Sequence, residues 1–162
     1  MKNYRIITIV LAMMFSCSNN DELDNQSATV IDSIFEFLVV NSANENLFDT
    51  ATVNHLDIND LKLYHVKNGE PILYYNGNLS APNGCFIKNS DNEIVVCVSL
   101  NSDPDEEKPV TLVRWNDSRT DTLEATYNRT NGHQKQEVWL NGDKVWDISM
   151  IDEYYHQKLV FN

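Results

Sequence analysis

Glycine and proline are scarce, at 5 and 4 in 162 residues. That excludes collagen-like and proline-rich low-complexity chains. No glycine-rich loop of the kind that cradles phosphates is present. Basic residues are also few: 12 Lys and Arg stand against 24 Asp and Glu, a formal charge of −12. Nucleic acid is therefore not expected as a partner, because a surplus of carboxylates repels a phosphate backbone. The longest apolar run, Ile6 to Phe15, is broken by one threonine and falls well short of the ~20 residues that span a bilayer as a helix. With 3 cysteines there is no disulfide scaffold of the small secreted type. No tandem repeat is visible.

Catalytic signatures are missing too. His55, His65, His133 and His156 are scattered, without the close pairing of a helical zinc site. His65 lies in an alternating strand on the face of Leu61 and Leu63, with Tyr74 across the hairpin, and reads as a half-buried, hydrogen-bonded histidine. No Gly-x-Ser-x-Gly elbow exposes a nucleophile. Asp103, Asp105, Glu106 and Glu107 lack the spacing of a calcium loop and read as a solvated charge run, as do Asp117 and Asp121. The chain is thus expected to be no enzyme and to need no cofactor or metal. A hydrolase triad drawn from distant segments is the remaining enzymatic alternative.

What is present begins at the N-terminus. Lys2 and Arg5 precede the apolar run in the manner of a secretory leader, and Phe15-Ser16-Cys17 resembles a bacterial lipobox. The resemblance implies cleavage after residue 16 and acylation of Cys17, which makes Cys17 a lipid anchor rather than a catalyst. Two or three acyl chains anchor stably, since each buried CH₂ contributes ~0.8 kcal/mol. An ordinary leader with an incidental cysteine is the alternative. Ser18 to Glu22 is acidic and amide-rich, and residues 17–28 read as a flexible tether. It resembles the export tether of surface lipoproteins in Bacteroidetes-type bacteria, which implies an outer-membrane address on either the surface or the periplasmic face. Loss of Lys2 and Arg5 with the leader leaves ten bases against 24 acids, a charge near −14.

From Val30 onward, short runs of β-branched and aromatic residues alternate with Asn, Asp and Gly, the pattern of an all-β domain over residues 29–162. About nine strands at ~8–12-residue spacing predict a single antiparallel β-sandwich of Ig-like two-sheet architecture, with a closed barrel as the alternative. Asn68-Gly69 and Asn141-Gly142 predict two-residue hairpins. Pro71 cannot donate to a ladder, so its strand is expected at a sheet edge. Ser149 with Asp152 resembles a capping box and predicts one short helix near the C-terminus. In CFIKNSDNEIVVC, a four-residue loop pairs Cys85 with Val96 and predicts two buried, reduced thiols. A slip to a three-residue loop would instead oppose Cys85 and Cys97.

The segments NENLFD, LKLYHVKNGEPILYY, DSRTDTLEATY and VWLNGDKVW are similar to those of small lipoproteins from gut Bacteroidetes, whose activity is not established. The resemblance implies a β-sandwich-like body and carries no catalytic residue. It also implies O-glycosylation at Asp-Ser/Thr sites, matched here by Asp32-Ser33-Ile34, Asp49-Thr50-Ala51 and Asp121-Thr122-Leu123.

The candidate ligand site is aromatic. A regular hairpin about Asn141-Gly142 sets Trp139 opposite Lys144 and Trp146 opposite Glu137, with both tryptophans on one face and Val138, Leu140 and Val145 on the other. With the valine face inside, the tryptophans make a platform beside Lys144 and Glu137 for a sugar ring or an apolar partner; with the tryptophan face inside, they are core. The expectation is a membrane-anchored, non-catalytic binding or accessory module that holds a glycan, a peptide or an envelope protein. Its rival is a structural or assembly component without a ligand of its own.

Overall fold

The structure is a computed structural model and describes residues 30–90, 93–130, 132–150 and 156–161. The expected leader, Cys17 and tether lie outside the described residues. Among the described residues there are eleven strands: β1 Val30–Asp32, β2 Ile34–Asn41, β3 Lys62–Lys67, β4 Glu70–Leu73, β5 Cys85–Ser90, β6 Glu93–Ser99, β7 Val110–Arg114, β8 Thr120–Asn128, β9 Gly132–Leu140, β10 Asp143–Asp147 and β11 Gln157–Phe161. They form a seven-stranded sheet in the order β1-β9-β8-β7-β3-β4, with β10 also on β9, and a four-stranded sheet in the order β11-β2-β6-β5. The two sheets pack face to face as an all-β sandwich, and no barrel closes.

The sheets are mixed rather than wholly antiparallel. β1 runs parallel to β9, and β11 runs parallel to β2. The first of these follows from a break that local alternation does not reveal. The stretch from Asp32 to Asn41 divides at Ser33, so that β1 joins one sheet and β2 the other. Lys135 holds the crossing: its ammonium donates to the Ile34 carbonyl at 2.5 Å and lies 3.3 Å from the Asp32 carboxylate.

Alternation accounts for the core. Phe35, Phe37 and Val39 of β2, with Val96 and Val98 of β6, face Leu63 of β3, Val113 of β7, Leu123 and Ala125 of β8, and Val138 of β9. Between the layers lies Trp115, fully buried, with its ring edge-on to Phe37 at 5.3 Å and to Phe161 at 6.2 Å. Both Asn-Gly hairpins form, with Asn68, Gly69, Asn141 and Gly142 all at positive φ, as two-residue turns of matching twist require. β4 is an edge strand, as Pro71 predicts. Because the Tyr74 amide donates to Leu63, alternation turns the backbone of Leu73 and Pro71 outward, where a missing donor breaks no ladder bond.

The β5–β6 register differs from expectation. Cys85 opposes Val98, and the ladder runs on to Ser90 opposite Glu93, two residues tighter than a four-residue loop allows. A shift of two preserves the faces and gains further ladder pairs. Cys85 and Cys97 fall on opposite faces and are free, buried thiols. Burial pushes Cys85 up to about 12; for Cys97, burial followed by the Glu36 carboxylate gives about 11. Among the described residues the helical turns are single 3-10 turns at Ile58–Asp60 and Ile148–Met150. The first was not expected; the predicted C-terminal helix falls mostly on 151–155, outside the described residues.

Asp121 overturns the expectation of a solvated charge. It is 5% exposed and accepts from the Trp115 indole at 2.9 Å, the Arg119 Nε at 2.9 Å and the Asn141 amide at 2.8 Å. Arg119 continues to the Val160 carbonyl in the other sheet at 2.7 Å and lies over the Phe161 ring. The stretch NDSRTD looks like an exposed turn because two of the three donors, Trp115 and Asn141, lie outside it and only Arg119 comes from within.

Asp121→Ala should cost about 3 kcal/mol in urea unfolding, since it strands a buried indole N–H and a half-buried guanidinium together. Neither Cys85 nor Cys97 should react with a disulfide reagent in the native protein at about pH 8, and both should react once it is unfolded in guanidinium.

Candidate functional site

The tryptophan platform does not form. Lys144 opposes Trp139 as expected, but the β10 ladder then shifts by one residue at Val145, so Trp146 opposes Val138 and Asp147 opposes Glu137. An extra residue in one strand moves every later side chain to the other face. Trp146 is therefore buried in the core, while Trp139, Glu137 and Lys144 remain on the outer face. Lys144 bonds Glu137 at 3.1 Å, and the Lys108 ammonium sits 3.7 Å above the Trp139 ring, itself paired to Glu124 at 3.1 Å. The one tryptophan face that could receive a ligand is occupied by a cation from its own chain.

A second bulge acts in the core. Thr126 opposes Glu137 and Tyr127 opposes Lys135, which leaves Gln136 unopposed and turns Lys135 inward, only 7% exposed. Its ammonium lies 4.8 Å from the Trp146 ring and 5.8 Å from Phe35. Buried cations of this kind need aromatic faces and oxygen acceptors together; this one has both, and it is structural.

The structure instead assembles a cleft of about 280 Å³ at the β3–β4 edge, lined by His65, Lys67, Ile72, Tyr74, Tyr75 and Asp103, with Asn101 beneath. All four residues of β4 are exposed. Ile72, Leu73 and Tyr75 are 53%, 56% and 71% exposed, a concentration of apolar surface at one edge. Gly84 sets the position of Tyr74: it has φ +72°, and a Cβ there would lie 2.7 Å from the tyrosine ring and 2.8 Å from Leu63.

The polar groups of the cleft are ordered by bonds from several strands. His65 Nε2 lies 3.0 Å from the Ser99 carbonyl; a carbonyl only accepts, so Nε2 carries the proton and Nδ1 is left as an acceptor. The imidazole is tilted against Tyr74 at 4.5 Å. Burial lowers its pKa from the ordinary 6.5, partly opposed by the Ser99 bond and by Asp103. Asp103 is held below the usual carboxylate range by the Asp105 amide and by Lys67, 3.5 Å away. Asn101 donates to the Val66 and Val110 carbonyls and accepts from the Asp103 amide. Arg129 donates to the Asp103 and Glu106 carbonyls, both at 2.8 Å. The acidic run is thus an ordered loop rather than a freely solvated one.

The cleft offers an aromatic surface, a neutral imidazole, an anion and a cation, which suits reversible binding. Among the described residues no three His, Cys, Asp or Glu side chains converge as a metal site, and no helix is long and apolar enough to cross a membrane. The sequence placed Tyr74 across the hairpin from His65, and the two rings do meet at 4.5 Å; what would have added the rest of the cleft is the pairing of exposed Ile72 and Leu73 with an edge proline. Asn101 carried no such signal. Of the three Asp-Ser/Thr matches, Thr50 is exposed beside a turn, Ser33 lies at the sheet crossing and Thr122 lies within β8. No protein-family profile, curated protein or solved structure matches the chain.

A histidine with a lowered folded pKa binds fewer protons native than unfolded, so its contribution is complete above 6.5 and is lost as pH falls below that value toward the folded pKa. Thermal melts from about pH 7 to about pH 5 should show this loss, and His65→Gln should flatten the pH dependence. An NMR titration of His65 with a midpoint at or above the ordinary value would contradict it.

Proposed function

We propose that the protein is a lipoprotein anchored at the cell envelope through acylated Cys17, and that its body is a non-catalytic binding module whose ligand site is the β3–β4 cleft. The observation that carries this reading is the placement of the cleft. β1, where the described chain begins, lies on one edge of the large sheet and β4 on the other. Five strand spacings of ~4.8 Å separate them, about 24 Å. A chain that enters at β1 from a membrane anchor leaves the opposite edge, with its cleft, unobstructed by the entering chain.

The cleft chemistry favours a glycan or a short peptide. Tyr75 provides a stacking face, while His65, Asp103 and Lys67 supply an acceptor, an anion and a cation that orient hydroxyl or amide groups. The rival reading, an assembly component, draws on the adjoining apolar edges: Leu79, Phe86 and Ile87, near the β4 edge in sequence or on the edge strand β5, are also exposed.

Cys17→Ser should move the native product from the membrane pellet to the soluble fraction and abolish labelling by a fatty-acid precursor. Arrays of oligosaccharides and peptides probed with the intact protein should give ligands whose affinity falls about tenfold or more with Tyr75→Ala, the cost of one lost aromatic anchor. Unchanged sedimentation would remove the anchor, and ligands indifferent to Tyr75 would remove the cleft.

A further inference from the structure

A second cleft of about 330 Å³ lies on the other side of β3, lined by Asn59, Asp60, Lys62, Arg114, Asn116 and Asp117. Its floor is unusual for so acidic a chain: Lys62 and Arg114 are direct cross-strand partners between β3 and β7. Like charges placed opposite one another destabilise a sheet. With carboxylates in twofold excess, the pair would be expected to be neutralised, yet only half of it is. Arg114 bonds Asp117 at 2.5 Å, while Lys62 alone among the described lysines and arginines makes no hydrogen bond or ion pair.

The Arg114–Asp117 contact is itself weakly held. The Asp117 side chain is 99% exposed, and such surface pairs contribute little. Arg114 Nε makes a long bond of 3.4 Å to the Asn116 carbonyl, so the guanidinium retains donors for an incoming group. Asn116 is fixed in place, its Oδ1 accepting from the amides of Ser118 and Arg119; its amide nitrogen is left to donate. Asp57, the cap of the 3-10 turn, holds Asn59 by both its backbone and side-chain nitrogens. The cleft therefore presents two adjacent cations, two oriented amides and two rim carboxylates, with Tyr64 two residues along the same face of β3.

We propose that this cleft binds a carboxylate-bearing saccharide. The sugar carboxylate would bridge Lys62 and Arg114, where it relieves the like-charge opposition and can meet the guanidinium bidentately. Hydroxyls would bond to Asn59, Asn116 and the rim carboxylates, and acetate, which has no hydroxyl to donate, cannot make the contacts to the carboxylates. Tyr64 offers a surface beyond the cation pair for the ring. The site lies on the face of the sheet opposite to His65 and does not depend on the β3–β4 cleft.

D-Glucuronate, glucose, acetate and inorganic phosphate should be titrated into the full chain at matched ionic strength, read by calorimetry and by amide NMR shifts. Glucuronate should bind with shifts centred on Lys62, Arg114 and Asn116, and the other three at least about tenfold more weakly. Lys62→Gln and Arg114→Gln should each reduce glucuronate affinity about tenfold or more. Without ligand, Lys62→Gln should raise the melting temperature by about 1–4 °C as the opposition is removed. Equal binding of glucose would overturn the role of the cations, and equal binding of acetate or phosphate would overturn the saccharide. No binding, or affinity unaffected by either variant in a protein that still melts cooperatively, would overturn the site.

Discussion

The sandwich depends on keeping one carboxylate out of water. Asp121 is buried at the end of the core and is tolerable there only because Trp115, Arg119 and Asn141 all donate to it. Each donor ties a different part of the fold to that point: Trp115 orients the largest aromatic between the layers, Asn141 brings in the β9–β10 turn, and Arg119 reaches the backbone of β11 in the second sheet. Where this cluster joins the sheets at one place, Lys135 joins them at another by bridging Asp32 and Ile34 across the crossing between β1 and β2. Apolar burial draws the layers together without direction. These two charge-centred clusters determine which backbone meets which.

The aromatic residues are arranged by departures from regular pairing. A bulge at Val145 sends Trp146 inward, and another at Gln136 turns Lys135 toward it, so the indole becomes a wall for a buried cation. The same shift leaves Trp139 outside, under Lys108. Uncovered apolar surface is concentrated instead at the β4 edge. β4, at the edge of the large sheet, is exposed at every residue, and Ile72 and Tyr75 lie uncovered beside His65 and Asp103. The same strand, β3, supplies His65 to the inner cleft and Lys62 to the outer one, because successive side chains point to opposite faces.

Much of this was readable along the chain. Alternation placed His65 with Leu63; the Asn-Gly pairs located both hairpins; Pro71 marked an edge. His65 was legible beside Tyr74, but not the cleft they share with Tyr75, since it is closed by Asn101 and Asp103 from the connection between β6 and β7. Asp121 was misread because its surroundings in sequence are polar, whereas its surroundings in space are Trp115 and the β9–β10 turn. Parallel pairing of β1 and β11 left no trace either: a strand's residues do not record the direction of a neighbour distant in the chain.

What the order of residues determined alone was local: strand periodicity, turn chemistry at positive φ, an acidic surface, and a lipobox-like cysteine behind an apolar run. These follow from steric and solvation preferences of a few adjacent residues. Tertiary structure decided the two bulges, the parity of the tryptophans, the edge at which apolar groups remain uncovered and the facing of Lys62 by Arg114. Each of those depends on which strand lies beside which, and that choice is made by the packing of whole layers around Trp115 rather than by any short segment.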